Sequence, residues 1–270
     1  MRAPRVFDAA RARLEQRHGL AEGAWPLGSR LAPHFFFPWL VASPVTVWDE
    51  WQLERLAIGC GLCASALLAL DAIADGDVGG DAESLAPHVC RAWQVEEDGR
   101  LLMRDAGFPG LAAEWPHVHR VIAAVHERNA RRPLDLVVCR ITYRRDAWDR
   151  VAPHRLVARH VLGWESPARA AIAEHVLRDI AAAVQWIDDL EDAADDHAAG
   201  RWNPVAAIAA THGSAAVAPL VADRLRDVAH PLASSAELAR RADLPALAAF
   251  AHELATHVDA IAARATRDGS

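Results

Sequence analysis

Between Pro167 and His197 the chain reads PARAAIAEHVLRDIAAAVQWIDDLEDAADDH, thirty-one residues with no glycine and no proline after the first position. Alanine, leucine and isoleucine recur there at intervals of three and four. That spacing makes a helix, and a helix this long must bury its apolar stripe against other helices. The same period returns along almost the whole chain, and alternating β-branched runs are scarce. It predicts helices at about 5–18, 49–75, 82–95, 110–131, 134–147, 153–163, 167–198, 203–211, 215–229 and 234–266. Pro109-Gly110, Pro133, Pro153, Gly163 with Pro167, Pro204, Gly213 and Pro231 punctuate them. No repeat and no low-complexity linker divides the sequence. The expected architecture is all-α: one domain over 1–270, a bundle of about ten helices.

Charge excludes several functions. The formal net charge of −7 opposes a nucleic-acid surface, because neutralising phosphates needs a basic excess. Every cationic side chain apart from histidine is arginine; the sequence contains no lysine, which removes Schiff-base chemistry and the P-loop. The N-terminal MRAPRVFDAARARLEQ lacks the apolar core of a signal peptide. LAIGCGLCASALLAL, the longest run without a charged residue or histidine, has 15 residues, fewer than a membrane span needs. The expectation is a cytoplasmic protein without a membrane span. Cys60-x-x-Cys63 lies in an apolar helix without the βαβ setting of a redox pair or the second pair of a zinc site, so both read as buried thiols. His117 and His119, two apart, face different sides of a helix and make a poor metal pair. No G-x-S-x-G occurs, and nothing singles out a nucleophile and its base. Ten tryptophans accompany a single tyrosine, Tyr143, and HFFFPW (His34 to Trp39) is the densest aromatic cluster. Such rings fill cores, and their faces also attract cations.

Two acidic clusters carry the chemical signal. In LALDAIADGD, Asp71 and Asp75 are four apart and project from one helix face, with Asp77 beyond. They close an apolar helix at its C-terminal end, where the macrodipole already disfavours negative charge. In the second cluster six of the nine residues from Asp188 to Asp196 are acidic. Asp188, Asp192 and Asp196 follow the i, i+4, i+8 stripe, Gln185 stands a turn above, and Asp189 lies beside it. Each like-charged pair at i,i+4 costs a helix about 0.2–0.5 kcal/mol. Water can screen that repulsion, or a cation can neutralise it. Carboxylate oxygens alone suit Mg²⁺, which keeps waters and takes one or two carboxylates together with substrate phosphates.

At these residues the sequence resembles the class I isoprenoid synthases: trans-prenyltransferases, squalene/phytoene synthases and class I terpene cyclases. LDAIAD is similar to the first aspartate motif, DDxxD, with Ala72 in place of the second aspartate. QWIDDLED matches the prenyltransferase pattern QxxDDxxD through Gln185, Asp188, Asp189 and Asp192. Asp188, Asp192 and Asp196 also fall where the cyclase motif (N/D)DxxSxxxE has its ligands, and Gly200 follows at the cyclase spacing. DDLED is similar to the DxxED of squalene synthases as well. The resemblance implies a helical bundle around a central cavity, with the two acidic ends facing each other. It implies three Mg²⁺ ions, held by Asp71, Asp75, Asp188, Asp189, Asp192 and Asp196, gripping the diphosphate of a prenyl substrate.

The departures separate the subfamilies. No GKxxR stands near the N-terminus, and DGDVGGDAES follows the first motif where a paired arginine is usual, so a second diphosphate lacks a clamp. The late Arg-Tyr pair of cyclases is missing too, because no tyrosine follows Tyr143. Arg140, Arg144, Arg145 and Arg201 are the remaining diphosphate candidates, with Gln185. The expected function is a Mg²⁺-dependent terpene cyclase that ionises a farnesyl- or geranylgeranyl-class diphosphate, with Asp71, Asp75, Asp188 and Asp192 as its catalytic acids. A condensing enzyme of the trans-prenyltransferase or squalene/phytoene type is the alternative, and a non-catalytic partner of a prenyl synthase is a second. The expected partner is a small-molecule prenyl diphosphate, and the scheme leaves room for a homodimer.

Overall fold

The computed structural model describes residues 32–42, 47–74, 78–130, 148–163, 166–198, 200 and 202–268, and every regular element among them is a helix. In chain order they are α1 (Ala32–Val41), α2 (Glu50–Ala74), α3 (Ala82–Asp105), α4 (Pro109–Glu114), α5 (Pro116–Ala130), α6 (Ala152–Leu162), α7 (Pro167–Glu191), α8 (Ala193–Ala198) and α9 (Pro204–His212). A 3-10 turn (Ser214–Ala216), α10 (Val217–Arg241) and α11 (Pro245–Asp268) complete them. The all-α expectation holds, while the helices expected at 5–18 and 134–147 lie outside the described residues. The chain divides into two compact units, Met1–His119 with Leu156–Pro167, and Arg120–Arg155 with Ala168–Ser270.

In the first unit α2 and α3 pack antiparallel. A reciprocal cap starts α2: the Gln52 N–H donates to Asp49 Oδ1 at 2.8 Å, and the Asp49 N–H donates to Gln52 Oε1 at 3.1 Å. Asp81 caps α3 by accepting the Ser84 N–H at 2.9 Å, and that bond holds its carboxyl below the ordinary range. The two helices come closest at Gly59 and Gly99, where a Cβ on either would stand 2.7 Å from the other's carbonyl oxygen. The contact explains why α3 runs well past residue 95, where the sequence pattern ends it: Gly99 sits mid-helix because nothing larger fits opposite Gly59. Cys63 and Met103 are buried beside this contact, and Leu56, Leu111 and Trp115 are buried in the same unit.

Helix α2 bears on the expectation that no segment spans a membrane. Counted as a helix rather than between charges it has 25 residues, and by length and composition it is long enough to cross a membrane. Half of its apolar window is buried within the protein, as the core helix of a soluble protein would also be.

Prolines moved other boundaries. Pro116 breaks the expected 110–131 helix at the buried Trp115, since it brings no N–H to continue the ladder. HFFFPW, which carried no expected helix, lies in α1 with Pro38 inside and Phe37, Leu40 and Val41 buried. In the second unit Pro231 does not end its helix; α10 continues through it to Arg241. Packing on α11 outweighs the lost hydrogen bond, with Leu225, Leu232, Leu247, Ala251 and Val258 fully buried. The reversal comes at Asp243 instead, whose φ of 59° is left-handed. There the Leu244 N–H returns to the Ala239 carbonyl at 3.0 Å, and the Asp243 N–H to the Arg240 carbonyl at 3.2 Å. Arg169 holds the turn by donating to Asp243 Oδ2 at 3.3 Å.

Candidate functional site

Asp71 stands half-buried in the last turn of α2, within the first unit. The Val78 N–H donates to the Ala72 carbonyl at 3.3 Å. Asp75, Arg140, Arg144, Arg145 and Arg201 lie outside the described residues.

The second cluster belongs to the second unit and is described from Gln185 to Asp196. Its helix is not the single rod expected over 167–198. It bends at Asp192, between α7 and α8, although helical hydrogen bonds persist on both sides: Asp192 N–H to Asp188 O and Asp196 N–H to Asp192 O, each 2.9 Å. Aspartate is a weak helix former, and three like charges on one stripe favour opening the rod at that point. Buried apolar residues, Val176, Ile180, Ala183, Trp186 and Ile187, carry α7 up to the charged end. There Asp188 is exposed, while Gln185, Asp189, Asp192 and Asp196 are half-buried.

Two amides organise these carboxylates. Gln185 donates from Nε2 to Asp189 Oδ1 at 3.0 Å, one turn along α7. Asn203 does more. Its side chain is fully buried and donates from Nδ2 both to the Asp189 carbonyl at 2.7 Å and to Asp196 Oδ2 at 2.9 Å. Its Oδ1 accepts the Val205 N–H at 2.9 Å and so caps α9. Between the two helices Gly200 takes a left-handed φ of 68°, with its N–H 3.2 Å from the His197 carbonyl, which turns the chain back toward Asn203.

Asn203 is absent from the sequence-derived site. Asn-Pro at a helix start reads as a cap with proline at the first helical position, and the structure has that cap. The second side of the amide, facing back to Asp196, depends on the turn at Gly200 and carries no local signature.

Among the described residues no three His, Cys, Asp or Glu side chains gather closely enough to hold a metal ion by themselves. Asp189 is turned to Gln185 and Asp196 to Asn203, so the stripe does not converge on one point. The donor set still fits magnesium by its chemistry. It is all oxygen, it lies on successive turns, and Mg²⁺ takes one or two carboxylates while water and phosphate oxygens fill its other positions.

The residues set aside from the site are engaged structurally. His119 shares a 2.5 Å hydrogen bond with the buried Glu96. Cys60 and Cys63 are buried, and Cys63 donates to the Glu96 carbonyl at 3.5 Å; burial pushes both thiols far above their ordinary range. Comparison with protein-family models, with curated proteins and with solved structures finds no match to this chain.

Proposed function

We propose that the protein is a Mg²⁺-dependent terpene cyclase with a class I isoprenoid synthase-like bundle, ionising an allylic prenyl diphosphate and cyclising the resulting cation. The observation that carries this reading is the ending of α7. A long helix buried along one face closes in carboxylates, and a fully buried amide holds the last of them, Asp196. A helix end that only meets water has no use for a buried amide aimed at its carboxylate, because the solvent would satisfy it.

In this proposal Asp188, Asp192 and Asp196 would hold magnesium at the end of α7 and in α8, and Asp71 and Asp75 are the further ligands that the first acidic motif suggests. Magnesium held there would supply Lewis-acid charge for the loss of diphosphate from an allylic substrate. Gln185 holds Asp189 and Asn203 holds Asp196, each by one hydrogen bond that restricts the carboxylate's direction. Arg140, Arg144, Arg145 and Arg201 are the cations available for the departing diphosphate. Apolar and aromatic walls would exclude water and stabilise the cation by their ring faces.

The test is diphosphate release from geranyl, farnesyl and geranylgeranyl diphosphates. Release is expected with Mg²⁺, none with EDTA, and recovery on restoring the metal. Asp192→Asn should lower turnover at least about a hundredfold, because a ligand charge is lost where transition-state charge develops. Full activity in that variant, or no release from any of the three substrates by folded protein with Mg²⁺, overturns the proposal.

A further inference from the structure

We infer that Asn203 is a positioning residue: its buried carboxamide clamps the bent end of the acidic helix and fixes the direction of the Asp196 carboxylate. The clamp itself stands on geometry, while its consequence for turnover rests on the function proposed above. Three groups from three segments meet on one side chain: the Asp189 carbonyl in α7, the Asp196 carboxylate in α8 and the Val205 N–H in α9. The orientation of the amide is fixed by its neighbours. Flipped, its oxygen would face a carbonyl and a carboxylate, and its NH₂ would face an N–H.

A helix cap alone does not account for this choice of residue. Capping uses only Oδ1, and serine or aspartate performs it about as well as asparagine. The two donors on Nδ2 are what asparagine adds, and both are spent on the acidic helix. With no exposure at all, Asn203 has no water to replace them.

Three variants separate cap from clamp. Asn203→Ser keeps a capping oxygen and loses both donors. Asn203→Asp also keeps the cap but turns the donors into a buried carboxylate facing Asp196. The pair Asn203→Asp with Asp196→Asn restores a donor and an acceptor across that contact. Hydrogen exchange on metal-free protein reads the clamp directly. In Asn203→Ser the Asp196 amide should exchange at least about tenfold faster, as expected for losing a charge-assisted hydrogen bond. Asn203→Asp should be worse, and the exchanged pair should recover part of the protection. Asn203→Ser keeps the test open if Asn203→Asp fails to fold.

The functional readout is the Mg²⁺ concentration giving half-maximal turnover of a prenyl diphosphate. It should rise at least about tenfold in Asn203→Ser, with kcat at saturating Mg²⁺ changing less. Wild-type exchange rates in Asn203→Ser would overturn the clamp. Faster exchange with an unchanged Mg²⁺ requirement would overturn its positioning role. Faster exchange in a protein whose wild type ionises no prenyl diphosphate would confirm the clamp and overturn the proposed function alone.

Discussion

Buried polar side chains mark where this chain departs from a plain hydrophobic bundle, and among the described residues they are few. Glu96 meets His119, Ser235 donates to Asp179 at 2.5 Å, and Asn203 joins three segments. A buried amide left without partners costs about 1–3 kcal/mol and a buried carboxylate more, so each such residue depends on the neighbours that satisfy it. The cysteines show the apolar counterpart. Cys60 and Cys63 are buried on α2, Cys63 against α3, with thiols held protonated by burial, whereas Cys90 is exposed on α3. Iodoacetamide at pH 8 should therefore label Cys90 within minutes and leave Cys60 and Cys63 unmodified until the protein is denatured. Peptide mass mapping checks this, and native-state labelling of Cys63 as fast as Cys90 would contradict the burial. At this scale the sequence was partly legible. The carboxylates of the second cluster and the buried thiols follow from spacing and composition. Asn203 does not, because its decisive contacts lie seven and fourteen residues back across a turn.

At the scale of elements, periodicity located most helices, and local chemistry shifted their ends. Capping explains the starts of α2 and α3, which the sequence reading placed within a residue. The errors fall where tertiary contact outweighs local preference. Pro231 was read as a stop, yet α10 passes through it because α11 packs along its length. Gly99 was read past the end of a helix, yet it lies inside one because Gly59 needs the space. Gly99→Ala tests that account. In an open helix the change would stabilise by about 1 kcal/mol through propensity. Here the new Cβ would stand 2.7 Å from both the Gly59 oxygen and Cys63 Sγ, and one of those atoms is backbone that cannot swing aside. A net destabilisation of about 1–3 kcal/mol is expected from overpacking, measured by urea unfolding at equilibrium. A variant more stable than the parent would mean that the two helices are farther apart than described.

For the whole molecule, helical class was legible because period is a local property of sequence. The arrangement of distant segments is not a local property, and Asp71 belongs to one compact unit while Asp188 through Asp196 belong to the other. Under the proposed function the question at this scale is how many diphosphates are bound at once, and charge argues for one. Condensation requires a second diphosphate with a cationic clamp of its own. The chain has no lysine, and the positions after the first motif that would carry a basic pair read DGDVGGDAES. A protein of net charge −7 gains nothing from bulk electrostatics in gathering two trianionic substrates. A single allylic diphosphate should therefore be consumed at the same rate with or without isopentenyl diphosphate. Its organic product should keep the substrate's carbon count, as a cyclic hydrocarbon or alcohol. Mass spectrometry of the extracted product decides the matter. A product five carbons longer, or of doubled length, would assign the chain to the condensing enzymes, with the same acidic helix ends ionising one of two bound substrates.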